Sequence, residues 1–72
     1  MSFAEILREY LTDRNLTQTD YAKKIDVKQS QVSEWLSGKA KPSYDILRRM
    51  ALEGGVSADY FLGITDEPKP RK

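Results

Sequence analysis

The residues best suited to chemistry lie between Gln18 and Ser37. Apolar side chains recur at helical spacing before a tight turn and again after it, which predicts two short helices. These apolar positions are Tyr21, Ala22, Ile25, Val32, Trp35 and Leu36. Between them, the second helix carries amides, hydroxyls and one carboxylate from Gln29 to Glu34. Such groups can hydrogen-bond the edges of DNA bases, or they can simply solvate an exposed helix.

Ala22 lies where the two expected helices would cross. Helices that cross near a right angle approach closely only when the residue at the crossing is small. The turn between them is expected at Asp26 and Val27, and Gly38 is expected to end the second helix in the left-handed conformation. The pattern therefore predicts a helix-turn-helix unit from Gln18 to Gly38.

The composition excludes several classes of function. The chain has 72 residues, enough for one domain with one small core but not for a second layer enclosing a substrate cleft. It contains no Cys and no His, so disulfides, thiolate metal sites and the commonest general base are absent. Carboxylate pairs such as Glu5 and Glu9 fit a solvated helix face better than an active site. We therefore expect no enzyme activity, no cofactor and no metal.

The sequence carries no pattern of export or membrane insertion. No apolar run approaches the roughly 18 residues of a transmembrane helix, and nothing resembles a signal peptide. A chain without Cys also suits a reducing compartment. The expected localisation is cytoplasmic.

The charge is small in total but uneven along the chain. The net charge is +1, yet residues 1–22 are net acidic and residues 23–41 are net basic. The basic segment covers the turn and the second helix of the unit, where it can attract phosphate. The alternative explanation of these lysines is a solvated surface without a ligand. The helix-turn-helix pattern in the same segment favours phosphate binding instead.

Five helices are expected, and no strand-like alternation competes with them. Their expected spans are Phe3 to about Arg14, a Thr17 cap to near Ile25, Lys28 or Gln29 to before Gly38, Tyr44 to about Glu53, and Ala58 to Leu62. The expected caps are Ser2 with Glu5, Thr17 with Asp20, Ser43 and Ser57. Asn15 is a plausible left-handed stop for the first helix.

The predicted fold class is all-α. Residues 1–63 form the compact five-helix domain, and residues 64–72 are expected to be a flexible polar tail or the start of a linker. The expected core is Phe3, Leu7, Leu11, Tyr21, Ile25, Val32, Trp35, Leu47, Met50 and Phe61. Tyr44 and Ala51 are expected on the inward face of the fourth helix as well.

The segment from Leu16 to Gly63 resembles the DNA-binding domain of the phage repressor and Cro family, also called the XRE family. The residues that carry the resemblance are Gln18, Ala22, Val27, Val32 and Trp35, followed by SGKAKPS and GVSADYFLG. Together, in this order and spacing, they form a specific pattern. The resemblance implies a lambda-repressor-like fold and a sequence-specific double-stranded DNA-binding regulator of phage or bacterial origin.

The chain departs from the family pattern at four positions. Asp26 replaces the usual turn Gly, and Lys28 stands where Ser or Thr usually caps the helix after the turn. Leu36 stands where Glu is frequent, and Gly54 replaces a usual core Leu. Because Asp tolerates positive φ, we expect the turn to survive at modest cost. The cap at Lys28 is expected to be weak or to come from elsewhere.

The resemblance places the second helix of the unit in the major groove. Under it, Gln29, Ser30 and Glu34 occupy base-contacting positions, and Gln31 and Ser33 continue the same helix as further candidates. Phosphate contacts are expected from the ends of the elements. The candidates are Gln18, Lys28, Ser37, Lys39 and Lys41. Trp35 is assigned to the core, not to stacking on a base.

A single helix-turn-helix offers little contact area, so a homodimer on a pseudo-palindromic operator is expected. Candidate interface residues are Leu36, Ile46, Leu52, Tyr60 and Ile64. The predicted function is a repressor, with activation left open. The alternative is a protein-interaction module on the same fold, an antitoxin or anti-repressor. A C-terminal domain or partner protein outside this chain is compatible with either function.

Overall fold

Five α-helices follow one another in the computed structural model, which describes residues 2–63. They are α1 (Phe3–Asp13), α2 (Gln18–Ile25), α3 (Gln29–Ser37), α4 (Tyr44–Gly54) and α5 (Ala58–Leu62). Residues 2–63 contain no strand, so the all-α prediction is confirmed. The expected tail, residues 64–72, lies outside the described residues. Within those residues, every helix is too short and too polar to span a lipid bilayer.

Side-chain caps fix where the helices begin. The Ser2 hydroxyl accepts from the Glu5 N–H at 3.2 Å, and the Glu5 carboxylate accepts from the Ser2 N–H at 3.2 Å. Thr17 and Asp20 make the same reciprocal pair at the start of α2, at 3.0 and 3.4 Å. Each such cap is worth about 1 kcal/mol. The expected caps at Ser43 and Ser57 are confirmed as well.

Left-handed residues fix where α1 and α2 end. Asn15 and Asp26 both have φ near 57°, although neither is glycine. After each one the chain folds back on the helix: Leu16 N–H donates to Leu11 O at 2.9 Å, and Val27 N–H donates to Ala22 O at 3.0 Å. Because Asp26 ends α2 so abruptly, only three residues separate α2 from α3.

The core lies where α1, α2, α3 and α5 meet over α4. Its fully buried large side chains are Tyr21, Phe61, Leu7, Ile25, Met50 and Val32. The Tyr10 ring packs edge-on against Tyr21 and Phe61, with ring centroids 5.9 and 5.0 Å apart. Most of the expected core is confirmed, while Phe3 and Leu47 are only partly buried. Ile6, Tyr10, Ala22 and Val56 are buried too.

Tyr44 was expected inside and is not. Its side chain is 79% exposed, so this prediction is wrong. Tyr44 is the first residue of α4, and the helix buries a side chain fully only at Met50, further along. Helical periodicity gives the direction of a side chain but not how far along the helix its neighbours extend.

Gly54 makes room for Tyr10. A Cβ built on Gly54 would collide with the Tyr10 hydroxyl. That hydroxyl is buried and makes no hydrogen bond within residues 2–63. Tyr10 therefore fills the space that a larger residue at position 54 would take, which explains why the chain tolerates glycine where the family usually has Leu.

Replacing Gly54 with Ala should lower the free energy of unfolding by about 1–3 kcal/mol, because overpacking forces the tyrosine to move. Tyr10→Phe alone should be nearly neutral, since the hydroxyl it removes has no partner. In the double variant, most of the loss should disappear because the colliding atom is gone. Urea unfolding of all four proteins measures this coupling, and purely additive effects would contradict it.

Candidate nucleic-acid interface

The interface is built on the crossing of α2 and α3. Ala22 and Trp35 are each 3% exposed, while Ile25 and Val32 are fully buried. Ala22 is therefore buried, as its expected place between the helices requires, and the expected role of Trp35 in the core is confirmed. Asp26 adopts the left-handed conformation expected of it at the turn. These contacts leave the opposite face of α3 free of the core.

The first turn of α3 is capped from within the helix. Lys28 stands at the N-cap and its side chain accepts no hydrogen bond. Instead the Gln31 side-chain Oε1 accepts from the Lys28 N–H at 3.1 Å. Gln31 thus supplies a cap from elsewhere, and it keeps both amide N–H donors and one oxygen lone pair for any other partner.

Two glutamines join the beginnings of α2 and α3. Gln29 Nε2 donates to Gln18 Oε1 at 2.8 Å. Gln29 keeps one N–H and its carbonyl oxygen, and Gln18 keeps two N–H donors. The bond connects a candidate base-contacting residue with a candidate phosphate-contacting residue, so the position of one side chain depends on the other.

Five polar side chains on α3 are exposed. They are Gln29, Ser30, Ser33, Glu34 and, at the C-terminus of the helix, Ser37. Gln29 and Ser33, like Ser30 and Glu34, are four residues apart and therefore neighbours on the helix surface. The structure thus brings the expected base-contacting residues together on one face, and Gln31 lies half-buried beside it.

The segment after α3 is fixed to the end of that helix. Lys39 N–H and Ala40 N–H donate to the Glu34 carbonyl oxygen at 3.0 and 3.4 Å. The Ser37 hydroxyl donates to the same oxygen at 3.0 Å. Lys39 therefore follows the C-terminus of α3 closely, whereas Ser37 would have to leave its bond to donate to a phosphate.

The remaining lysines divide between the interface and the scaffold. Lys28 and Lys41 are exposed on either side of α3 in sequence. Lys24 Nζ lies 3.9 Å from a Glu53 carboxylate oxygen, so it bridges α2 and α4 instead. An exposed pair of this kind contributes little to stability. Lys24 is not among the candidate phosphate contacts.

Two residues important for the geometry escaped sequence analysis. Arg49 Nη1 on α4 donates to the carbonyl oxygens of Ile25 and Asp26 at 2.8 and 3.3 Å. Arg8 Nη2 on α1 donates to the Leu36 carbonyl oxygen at 3.0 Å. Because the acceptors are backbone atoms, no residue type at positions 25, 26 or 36 signals these bonds.

An all-helical domain with a capped, exposed helix after a left-handed turn defines a helix-turn-helix protein. The pattern of the family described as "Helix-turn-helix" matches residues 7–61 of this chain. The chain therefore belongs to that family, in the XRE type that its sequence resembles.

Its relatives are regulators of bacterial transcription. It is 33% identical over 69 residues to the uncharacterized HTH-type transcriptional regulator YobD of Bacillus subtilis, covering 96% of this chain and 62% of YobD. It is 34% identical over 62 residues to the HTH-type transcriptional activator BcrR of Enterococcus faecalis, covering 86% of this chain and 30% of BcrR. The chain thus spans less than two thirds of either relative.

A solved structure has the same fold. The crystal structure of a transcriptional regulator from Listeria innocua is similar with a TM-score of 0.81 and 29% identity. The similarity covers 92% of this chain and 62% of the Listeria chain. The predicted five-helix fold and family are confirmed by these findings.

Gln31→Ala should lower the free energy of unfolding by about 1 kcal/mol, because the first turn of α3 loses its cap. Gln31→Glu should keep or raise the stability, since the carboxylate still accepts and suits a helix N-terminus. Ser30→Ala, at the neighbouring exposed position, is the matched control and should change little. Chemical unfolding measures all three, and equal losses for Ala and Glu would contradict the capping role.

Proposed function

We propose that this chain is a sequence-specific double-stranded DNA-binding transcriptional regulator, acting as a repressor through the major groove. The observation that carries the proposal is the Gln18–Gln29 bond of 2.8 Å at the start of an exposed recognition helix. Its relatives bear the names of transcriptional regulators, which supports the same role.

The hydrogen bond to Gln18 orients the side-chain amide of Gln29 for contact with a base. Once one N–H is held by Gln18, the other N–H and the carbonyl oxygen remain. These are the donor and the acceptor that adenine N7 and the adenine amino group require. A bidentate contact of this kind is worth about 1–3 kcal/mol of discrimination against the wrong base.

The other exposed residues of α3 complete the proposed reading face. Ser30 and Ser33 can bond either donors or acceptors on neighbouring bases, and Glu34 can accept from the cytosine amino group. Gln31 contributes mainly N–H donors, because its oxygen already accepts one bond in capping α3. Recognition thus depends mainly on neutral groups, whose contacts change little with salt.

Affinity is proposed to come from phosphate contacts at the ends of the two helices. Gln18 offers its free amide donors at the start of α2, and Lys28, Lys39 and Lys41 flank α3 with positive charge. Ser37 is a weaker candidate because its proton is already donated to Glu34 O. Each lysine that neutralises a phosphate should add about 0.9 to the salt dependence of binding.

Two copies are proposed to bind a pseudo-palindrome, with half-sites about 34–36 Å apart on one face of the DNA. Of the candidate interface residues, Leu52 is 67% exposed, and Leu36, Ile46 and Tyr60 are half-buried. Ile64 lies outside the described residues. An exposed leucine on α4 supports a contact between copies, since such area is otherwise left in water.

Repression would be steric, since an operator overlapping a promoter excludes polymerase while the protein is bound. Activation is a second candidate, favoured by the similarity to BcrR, which is named an activator. An antitoxin or anti-repressor module is the remaining alternative, favoured by the negative charge of Glu34 on the reading face. With DNA as its partner, the chain is proposed to act in the cytoplasm.

Selection from random duplex DNA at about 0.15 M salt, followed by sequencing, tests the proposal. A two-fold motif with half-sites about one helical turn apart supports a dimeric operator-binding protein. A lone half-site supports the reading helix and contradicts dimerisation by this chain. Bulk binding without enrichment would contradict the proposal and favour the interaction module.

Gln29→Ala and Lys39→Ala should weaken DNA binding in different ways. Gln29→Ala should relax the preference at one or two base pairs, by about 1–3 kcal/mol. Lys39→Ala should weaken binding to all sequences alike and reduce the salt slope by about 1. Competition titrations at several salt concentrations measure both. If both variants show the same change in sequence preference and in salt slope, the division into base-contacting and phosphate-contacting residues is wrong.

Leu52→Asp should shift the sedimentation coefficient toward the monomer, because a charge buried at an apolar contact is unfavourable. Leu62→Asp is the matched control, since Leu62 is also an exposed leucine but lies on α5 and is not among the candidate interface residues. It should leave the dimer intact. Full dimerisation of Leu52→Asp at the same protein concentration would remove Leu52 from the interface.

A further inference from the structure

Two arginines from other helices bind the backbone on either side of the α3 recognition face, one at the turn before α3 and one in its last turn. Arg49 on α4 binds the turn before α3, through the carbonyl oxygens of Ile25 and Asp26 at 2.8 and 3.3 Å. Arg8 on α1 binds the far end of α3, through the Leu36 carbonyl oxygen at 3.0 Å. Carbonyls in the last turn of a helix lack an internal partner, so a guanidinium there satisfies groups that would otherwise need water.

The core contacts of α3 come from one side of the helix. Val32 and Trp35 are buried, and Leu36 is partly buried against the core. Apolar contacts are non-directional, so they hold the helix against the domain without fixing its exact orientation. The arginine hydrogen bonds, at the turn before α3 and in its last turn, are directional and restrict small rotations and shifts.

We propose that Arg49 and Arg8 are positioning residues for base recognition, which set the orientation of α3 without touching DNA. The inference rests on the proposed function. Recognition requires side chains placed within about 0.5 Å of their productive positions, whereas long lysine side chains can follow a phosphate over a wider range. Loosening α3 should therefore reduce the preference for the correct sequence more than the affinity for DNA in general.

The experiment compares Arg49→Met and Arg8→Met with the unsubstituted chain. Affinity is measured for the selected duplex and for a scrambled duplex, well below the midpoint of thermal unfolding. Unfolded molecules are lost from both measurements equally, so the ratio of the two affinities does not depend on stability. The ratio should fall about tenfold in each variant, as expected when one good base contact is lost. The affinity for scrambled DNA should change much less.

Arg48→Met is the matched control. Arg48 precedes Arg49 on α4, is exposed and makes no hydrogen bond within residues 2–63. Its replacement removes the same charge and should leave the ratio unchanged. Arg49→Lys and Arg8→Lys keep the charge and should recover part of the affinity ratio. If a Met variant fails to fold, the corresponding Lys variant replaces it in the comparison.

Three outcomes overturn the inference. Variants that unfold at lower temperature but keep the full ratio would make Arg49 and Arg8 ordinary stabilising residues. A fall of the same size in Arg48→Met would assign the effect to charge instead of positioning. If the unsubstituted chain itself prefers no sequence, the proposed function fails, and the inference fails with it.

Discussion

The close crossing of α2 and α3 is the constraint on which the rest of the structure depends. Ala22 is 3% exposed at this crossing, and its carbonyl oxygen accepts from the Val27 N–H at 3.0 Å as the chain reverses. A larger side chain at Ala22 would push α3 outward. The Gln18–Gln29 bond of 2.8 Å between the two helices would then be lost. The positions of the polar side chains on the surface therefore depend on the small residue at position 22 and on the left-handed turn at Asp26.

Much of this arrangement could be predicted because local physics determines it. Ser2 and Thr17 start their helices through bonds within three residues, and Asn15 and Asp26 end theirs at positive φ. Long-range features could not be predicted. The exposure of Tyr44 depends on where its neighbours end, and Arg49 binds backbone atoms that leave no trace in the sequence. For the candidate interface, the sequence predicted which polar residues lie on α3, but it did not predict the hydrogen bond between Gln18 and Gln29.

Charge and recognition are separated along the chain. The net charge is only +1, yet the residues around α3 are basic and its exposed face is mostly neutral. Under the proposed function, lysines at the ends of α3 would provide attraction that salt can screen, while the amides and hydroxyls between them would provide directional bonds. The structure supports this separation because the segment carrying Lys39 is fixed to the Glu34 carbonyl at 3.0 Å.

The central claim is that the exposed face of α3 contacts DNA bases. The most direct measurement is a titration of the isotope-labelled chain with its selected duplex, followed through the amide signals of backbone and glutamine side chains. The account predicts the largest shifts at Gln29 and Ser30, with the Gln18 side chain responding alongside, and little change at Leu52. Shifts confined to α4 and α5, with the α3 signals unmoved, would contradict it.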